Sequence, residues 1–194
     1  MFSKQFFQEV QEICKSIDYR KIEELVLDLK HLRDKRKGRL FICGVGGSAG
    51  NASHAVNDFR KLCCIEAYAP TDNVSELTAR TNDEGWETVF SEWMEVSNIK
   101  KDDSVLILSV GGGNEENNVS MNLVKLIKKV KKIGMKVYGI VGKEDGFTAE
   151  KADILIHVPN VATERITPHS ESFQTIIWHC LVSHPSLQVK STKW

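Results

Sequence analysis

Two glycine-rich stretches each follow a short apolar run. Gly44-Val45-Gly46-Gly47-Ser48 follows Leu40–Cys43, and Ser109-Val110-Gly111-Gly112-Gly113-Asn114 ends the run Ser104–Val110. Glycine lets backbone approach a ligand closely, and a helix starting behind such a loop offers unpaired N–H groups to an anion. Two such loops on one sheet suggest a phosphorylated small molecule. Neither is a nucleotide motif: Gly44, Gly46 and Gly50 are spaced too widely for G-x-G-x-x-G, and no G-x-x-x-x-G-K-[ST] is present.

Titratable side chains stand at helical spacing beyond the first loop. Ala52, Ala55, Phe59 and Leu62 make an apolar stripe, with Asn51, His54 and Asp58 along its edge. His54 and Asp58, four apart, lie on one face and can share a proton or a metal ion, or simply form a solvated pair. Near the C-terminus, Phe173, Ile176, Ile177 and Cys180 make a second stripe, with Glu171 and His179 off it and Pro168-His169 before it. Two imidazoles and two carboxylates suit Zn²⁺ or another divalent ion such as Mn²⁺. Eight helical residues span ~12 Å, so Glu171 and His179 reach one ion only with extended side chains, an irregular helix start or help from a second subunit. His169 is the substitute ligand if Glu171 is too far.

The positioning elements read as strand and helix in alternation. Short apolar runs at Leu40–Cys43, Ile65–Ala69, Ser104–Val110, Lys136–Val141 and Ile154–Val158 predict five strands. Helical periodicity covers Ala49 to Lys61, Thr71 to Trp93 with a break near Asn82–Gly85, Asn118 to Ile133, and Ser170 to His184. Such a pattern predicts a parallel sheet sandwiched by helices, a flavodoxin-like α/β fold. The first 37 residues predict a helical hairpin, with Phe6, Val10, Ile13, Cys14 and Ile17 on one stripe, Asp18 as N-cap, Ile22, Leu25, Val26, Leu29 and Leu32 on the next, and Gly38 as the stop. These stripes exceed what one sheet face covers and predict a homo-oligomer. The organisation expected is a single domain over 1–194: hairpin 1–37, α/β core 38–184 and a polar, loosely held tail 185–194.

Composition narrows the class. Lys+Arg and Asp+Glu are each 26, so no bulk cationic excess argues for nucleic acid or an anionic membrane. No run of about 18 apolar residues predicts a membrane span. Five cysteines (Cys14, Cys43, Cys63, Cys64 and Cys180), none in a C-x-x-C pair, with no signal-peptide apolar core at the N-terminus, predict reduced thiols in the cytoplasm.

The segment C-G-V-G-G-S-A-G-N-A-S-H-A-V-N-D-F resembles the first loop and helix of sugar isomerase (SIS) domain proteins, in particular the bacterial sedoheptulose 7-phosphate (phosphoheptose) isomerases. The resemblance continues through T-N-D-E-G-W-E-T-V-F, L-I-L-S-V-G-G-G-N and E-S-F-Q-T-I-I-W-H-C-L, and covers nearly the whole chain. It implies interconversion of a ketose phosphate and an aldose phosphate through an enediol, supplying heptose precursors of bacterial surface sugars such as lipopolysaccharide or capsule. It also implies a homotetramer with active sites at subunit interfaces and one divalent metal ion, Zn²⁺, per subunit. By position the implied metal set is His54, Asp58, Glu171 and His179. Asn82-Asp83 match a substrate-binding pair. Val45, Gly46, Gly47 and Ser48 match the first sugar-phosphate loop, and Ser109, Val110 and Gly111 the start of the second.

Three departures stand out. Asp58 replaces a glutamate proposed to transfer protons, Glu171 replaces a glutamine, and S-V-G-G-G-N-E-E replaces a shorter, hydroxyl-rich S-T-S-G-N-S. A phosphate at this second loop relies on backbone N–H groups, and Glu115-Glu116 repel it if they point inward. The expected activity is aldose–ketose isomerisation, with Asp58 and His179 as acid and base, Asp58 and Glu171 also touching substrate, and sedoheptulose 7-phosphate the favoured substrate. The competing expectation is a non-catalytic module that senses sugar phosphates or binds proteins. Isomerisation of a different sugar phosphate is the third.

Overall fold

The computed structural model describes residues 1–192. Its elements, in chain order, are α1 (Phe2–Ser16), α2 (Tyr19–His31), β1 (Leu40–Gly44), α3 (Gly47–Cys63), β2 (Ala67–Tyr68), α4 (Val74–Glu84), α5 (Val89–Val96), β3 (Ser104–Ser109), α6 (Met121–Lys132), β4 (Lys136–Val141), α7 (Phe147–Lys151), β5 (Ile154–His157) and α8 (Ile166–Ser183). Short 3₁₀ turns precede α4, α5 and α8, and a π-helical turn, Leu32–Arg36, extends α2.

All five strands are parallel, in the order β2-β1-β3-β4-β5. Alternation along each strand feeds two cores. Leu40, Ile42, Leu106, Leu108, Tyr138 and Ile140 join the apolar residues of α2, α3 and α8. Phe41, Cys43, Val105, Ile107 and Val137 join those of α5 and α6. Because β1 lies between β2 and β3, the chain reverses its winding there, and the carboxyl ends of β1 and β3 form the crevice where such sheets bind ligands. Both glycine-rich loops leave the sheet at that crevice.

The helical hairpin is uneven. Asp18 caps α2 by accepting a hydrogen bond from Arg20 N–H, and Ile22, Leu25, Val26 and Leu29 are buried. Helix α1 buries Ile13, while Phe2 and Phe7 stay exposed. The helical stop differs from the expectation: Lys37, not Gly38, takes the left-handed conformation (φ 54°). Gly38 is needed for close approach instead, since a methyl group on it would stand 2.0 Å from the Asp102 carbonyl oxygen.

Other boundaries shift for physical reasons. β2 shrinks to two residues at the sheet edge, where Arg60 Nη1 donates to the Ala67 carbonyl. α8 begins a turn before Ser170. α7, five residues long, escaped periodicity altogether. The tail is tied down as far as Lys190: Leu187 is buried, its carbonyl accepts from Arg33 Nη1, and the N–H groups of Val189 and Lys190 donate to the Leu62 carbonyl. The end of the expected tail, 193–194, lies outside the described residues. Among the described residues no helix is long and apolar enough to cross a membrane.

Candidate functional site

Helices α3 and α8 pack side by side on one sheet face. Asn51 stitches them together: its Nδ2 donates to the Glu171 carbonyl (2.9 Å) and to Gln174 Oε1 (3.1 Å), and its Oδ1 accepts from Thr175 Oγ1 (2.7 Å). That lock sets the register in which His54 and Asp58 of α3 face His179 of α8. Asn51 is thus a positioning residue whose partners periodicity does not reveal.

The structure brings His54, Asp58 and His179 together. Asp58 Oδ2 is 3.8 Å from Nε2 of each histidine, and one donor atom from each residue lies within 4.8 Å of the other two. Asn57 Nδ2 donates to the other carboxylate oxygen, Oδ1, at 2.8 Å, leaving Oδ2 facing both imidazoles. The Asp58 side chain is 13% exposed, against 58% and 47% for His54 and His179, so the histidines form a solvent-facing rim over a recessed carboxylate. Buried Trp178 backs them, its ring centroid 4.7 Å from that of His54 and 3.6 Å from that of His179. Two imidazoles and one carboxylate this close match the three-ligand set of catalytic zinc sites with one open position. By donor type and proximity these residues fit a divalent ion.

Glu171 is not part of that group. Its carboxylate lies instead against the first loop: a methyl group on Gly47 would stand 2.5 Å from Glu171 Oε2. The spacing along α8 explains the separation, because eight residues of straight helix carry Glu171 about 12 Å from His179. His169 is also elsewhere, buried with Nε2 2.8 Å from Glu9 Oε2. Burial pushes the Cys63 thiol up to about 12 and the Cys43 thiol higher still, so neither serves as a thiolate.

The first loop is open at Gly46. Gly46 is the N-cap of α3 at φ 64°, with nothing within 4 Å of where a Cβ would sit and no side chain capping the helix. Val45 is exposed and Ser48 buried. Gly44 is required because a Cβ there would meet the Ser48 backbone at 2.6 Å. The uncapped first turn therefore presents N–H groups at the crevice.

The second loop is closed on itself. Ser109 Oγ accepts from Gly112 N–H, the Val110 carbonyl from Gly142 N–H, and the Gly112 carbonyl from both the N–H and Oγ1 of Thr148. Helix α6 does not start directly behind this loop. Asn114 and Val119 pair as an antiparallel bridge, and the chain passes Asn118 and Ser120 at positive φ before entering α6 at Met121. Glu115 points outward in an ion pair with Lys128. Asn82 and Asp83 sit exposed in the last turn of α4, where Asn82 Nδ2 donates to Asp83 Oδ1. No described contact joins them to the His54–Asp58–His179 group, and α4 itself buries no residue.

A five-stranded parallel sheet with two glycine-rich loops at its switch point is the architecture of sugar isomerase domains, and the SIS domain matches residues 5–142 of this chain. The chain belongs to that family. The match includes both loops and His54 and Asp58, and ends before α8. Among named relatives, the chain is similar to the phosphoheptose isomerase of Helicobacter pylori (strain P12), 29% identical over 192 residues that cover 95% of each protein. The lincomycin biosynthesis protein LmbN of Streptomyces lincolnensis is 32% identical over 76% of this chain, which spans 56% of that protein. The solved phosphoheptose isomerase GmhA from Neisseria gonorrhoeae superposes with TM-score 0.73 at 25% identity, covering 93% of this chain and 94% of that one. A phosphoheptose isomerase structure from Francisella tularensis shares the fold with TM-score 0.78 at 21% identity, with the same coverage.

Proposed function

We propose that this protein is an aldose–ketose isomerase acting on a sugar phosphate, with sedoheptulose 7-phosphate as substrate and a heptose 7-phosphate for surface-polysaccharide precursors as product. The observation that carries the reading is the meeting of His54, Asp58 and His179 on the helix pair beside the crevice. Similarity to the H. pylori enzyme along almost the full length of both chains supports it.

Isomerisation moves a proton between adjacent carbons through an enediol, so it needs a base at one carbon and an acid at the neighbouring oxygen. Asp58 Oδ2 is the recessed acceptor, with Oδ1 already occupied by Asn57. His179 Nε2, on the rim, exchanges the second proton with substrate and solvent. His54, Asp58 and His179 would hold the divalent ion, Zn²⁺ in this proposal and one per subunit, which when bound supplies a Lewis acid that polarises the substrate carbonyl. Asp58 and His179 cannot serve as ion ligands and proton carriers at once. Glu171, placed at the first loop rather than in the cluster, is the free carboxylate that then acts as base. The open N–H groups of Gly46, Gly47 and Ser48, with Val45 beside them, hold substrate oxygens, and Ser109, Val110 and Gly111 form the opposite wall.

Asn82 and Asp83 bind substrate in this proposal across a subunit interface of a cytoplasmic homotetramer, which accounts for the unburied α4 and for the exposed Phe2 and Phe7 of α1. Light scattering at micromolar concentration should give the tetramer mass; a monomer removes the shared site.

One observation favours the sensing module: Glu171 sets a negative charge at Gly47, where the resemblance expects a phosphate. Incubation with sedoheptulose 7-phosphate separates the two readings. Aldose phosphate that accumulates, and stops accumulating with a chelator or with His54→Ala, supports the isomerase. Saturable binding without turnover supports the sensor.

A further inference from the structure

Helix α1 is fastened to the start of α8 by one ionic cluster. Arg165 donates from Nε to Glu9 Oε2 (2.8 Å) and from Nη2 to Glu9 Oε1 (2.7 Å), and His169 Nε2 lies 2.8 Å from the same Oε2. Phe6 covers the cluster, its ring centroid 4.6 Å from that of His169, and the Arg165 guanidinium lies 5.9 Å from the centre of the Phe2 ring. The Glu9 and Arg165 side chains are only 11% and 16% exposed, and hydrogen bonds from Arg165 and then His169 hold the Glu9 carboxyl down at about 2. A desolvated, bidentate pair adds little net stability but fixes geometry, because its directional bonds tolerate few arrangements. Beside it, α1 docks through buried Ile13 and partly buried Val10.

The turn that Glu9 grips touches the first loop directly and reaches the second through Gly142. Ser170, next to His169, is buried with its hydroxyl where a methyl group on Gly142 would stand 2.0 Å away, and Gly142 N–H donates to the Val110 carbonyl of the second loop. Glu171 follows directly and rests against Gly47 of the first loop. The first turns of α8 thus bear on the first loop and on Gly142, the neighbour of the second, and are held from outside by α1.

We propose that Glu9 is a positioning residue: through Arg165 and His169 it sets Glu171 against the first glycine loop and Ser170 against Gly142, which holds the second, and so tunes how tightly the crevice holds its ligand. The structural half of this claim stands without the isomerase reading; the kinetic half rests on it.

Glu9→Gln tests it, keeping length and one acceptor oxygen while removing the charge. Hydrogen–deuterium exchange on the full chain should quicken about tenfold, the order a charge-assisted hydrogen bond is worth, in peptides covering 44–50, 109–113 and 163–172. Exchange over 176–183 should not change. Loss of loop order weakens substrate binding, so KM for sedoheptulose 7-phosphate should rise about tenfold, with a fall in kcat beside it where Glu171 serves as the base. Glu9→Asp, which keeps the charge, should recover part of both effects. Quickened exchange confined to 1–16, or spread equally over the chain, overturns the proposal. If wild type shows no turnover, the exchange pattern still decides it, and the isomerase reading fails separately. If Glu9→Gln does not fold, Arg165→Lys, which keeps the charge but loses the bidentate fork, is read the same way.

Discussion

The two glycine-rich loops leave adjacent parallel strands at the same end of the sheet, yet they end in opposite physical states. The loop after β1 enters its helix at once, leaves Gly46 in open space and keeps the first-turn N–H groups of α3 uncapped. The loop after β3 spends its carbonyls on Gly142 and Thr148, folds its extra residues into a bridge between Asn114 and Val119, and reaches its helix only at Met121. In the first, Gly46 serves conformation and access, while Gly44 and Gly47 serve close packing against Ser48 and Glu171. In the second, Gly112 and Gly113 serve conformation, at φ 72° and 83°. A run of glycines after a strand therefore does not by itself mark an open site, and the hydrogen bonds its neighbours make decide whether its backbone groups stay free.

The comparison is tested most severely by the side chains that the open loop's helix and its neighbour α8 present together. Asp58→Asn and His179→Gln should each lower turnover by roughly 10²–10⁴, the usual cost of losing a general acid or base. His179 is half-exposed, and Asn keeps the size of the recessed Asp58, so unfolding stability should move by no more than about 0.5 kcal/mol. Steady-state kinetics beside thermal melts check the pair. Retained turnover removes the assignment, and lost folding makes the residues structural.

The closed loop is broken by bulk. A methyl group on Gly146 would stand 2.0 Å from the Gly111 carbonyl oxygen. Gly146→Ala should therefore cost about 1–3 kcal/mol, the range for forced overpacking, measured by denaturant unfolding. Gly50→Ala is the mirror experiment in the open loop's helix. Nothing lies within 4 Å of its would-be Cβ, so the change should stabilise by about 0.5–1 kcal/mol through the helical preference of alanine over glycine. Equal effects of the two substitutions would erase the distinction between the loops.

Much of the fold could be read from the sequence because parallel strands buried on both faces are plain apolar runs. Lys136–Val141 matches residue for residue, and Asp18 caps its helix as its type and position demand. What escaped was short or non-local. α7 is too brief to show a period, and the Asn114–Val119 bridge depends on a turn whose residues look like ordinary polar loop. At the site, His54 and Asp58 share a face by simple i, i+4 spacing, but nothing periodic ties them to His179 more than a hundred residues later. That juxtaposition came from family resemblance, and the structure attributes it to the Asn51 lock between α3 and α8. The same resemblance grouped Glu171 with them, whereas helix geometry sets Glu171 apart at Gly47. The Glu9–Arg165–His169 cluster was invisible because Glu9 lies about 160 positions from the other two and the three belong to no motif.

The central claim is that the crevice carries out proton transfer on a ketose phosphate. Incubating the protein with sedoheptulose 7-phosphate in D₂O and following products by NMR tests it most directly. The account predicts an aldose phosphate carrying deuterium at the carbon next to the new aldehyde, with the rate lost in Asp58→Asn and His179→Gln. Substrate that binds, yet yields neither aldose nor carbon-bound deuterium in any divalent metal, would contradict it.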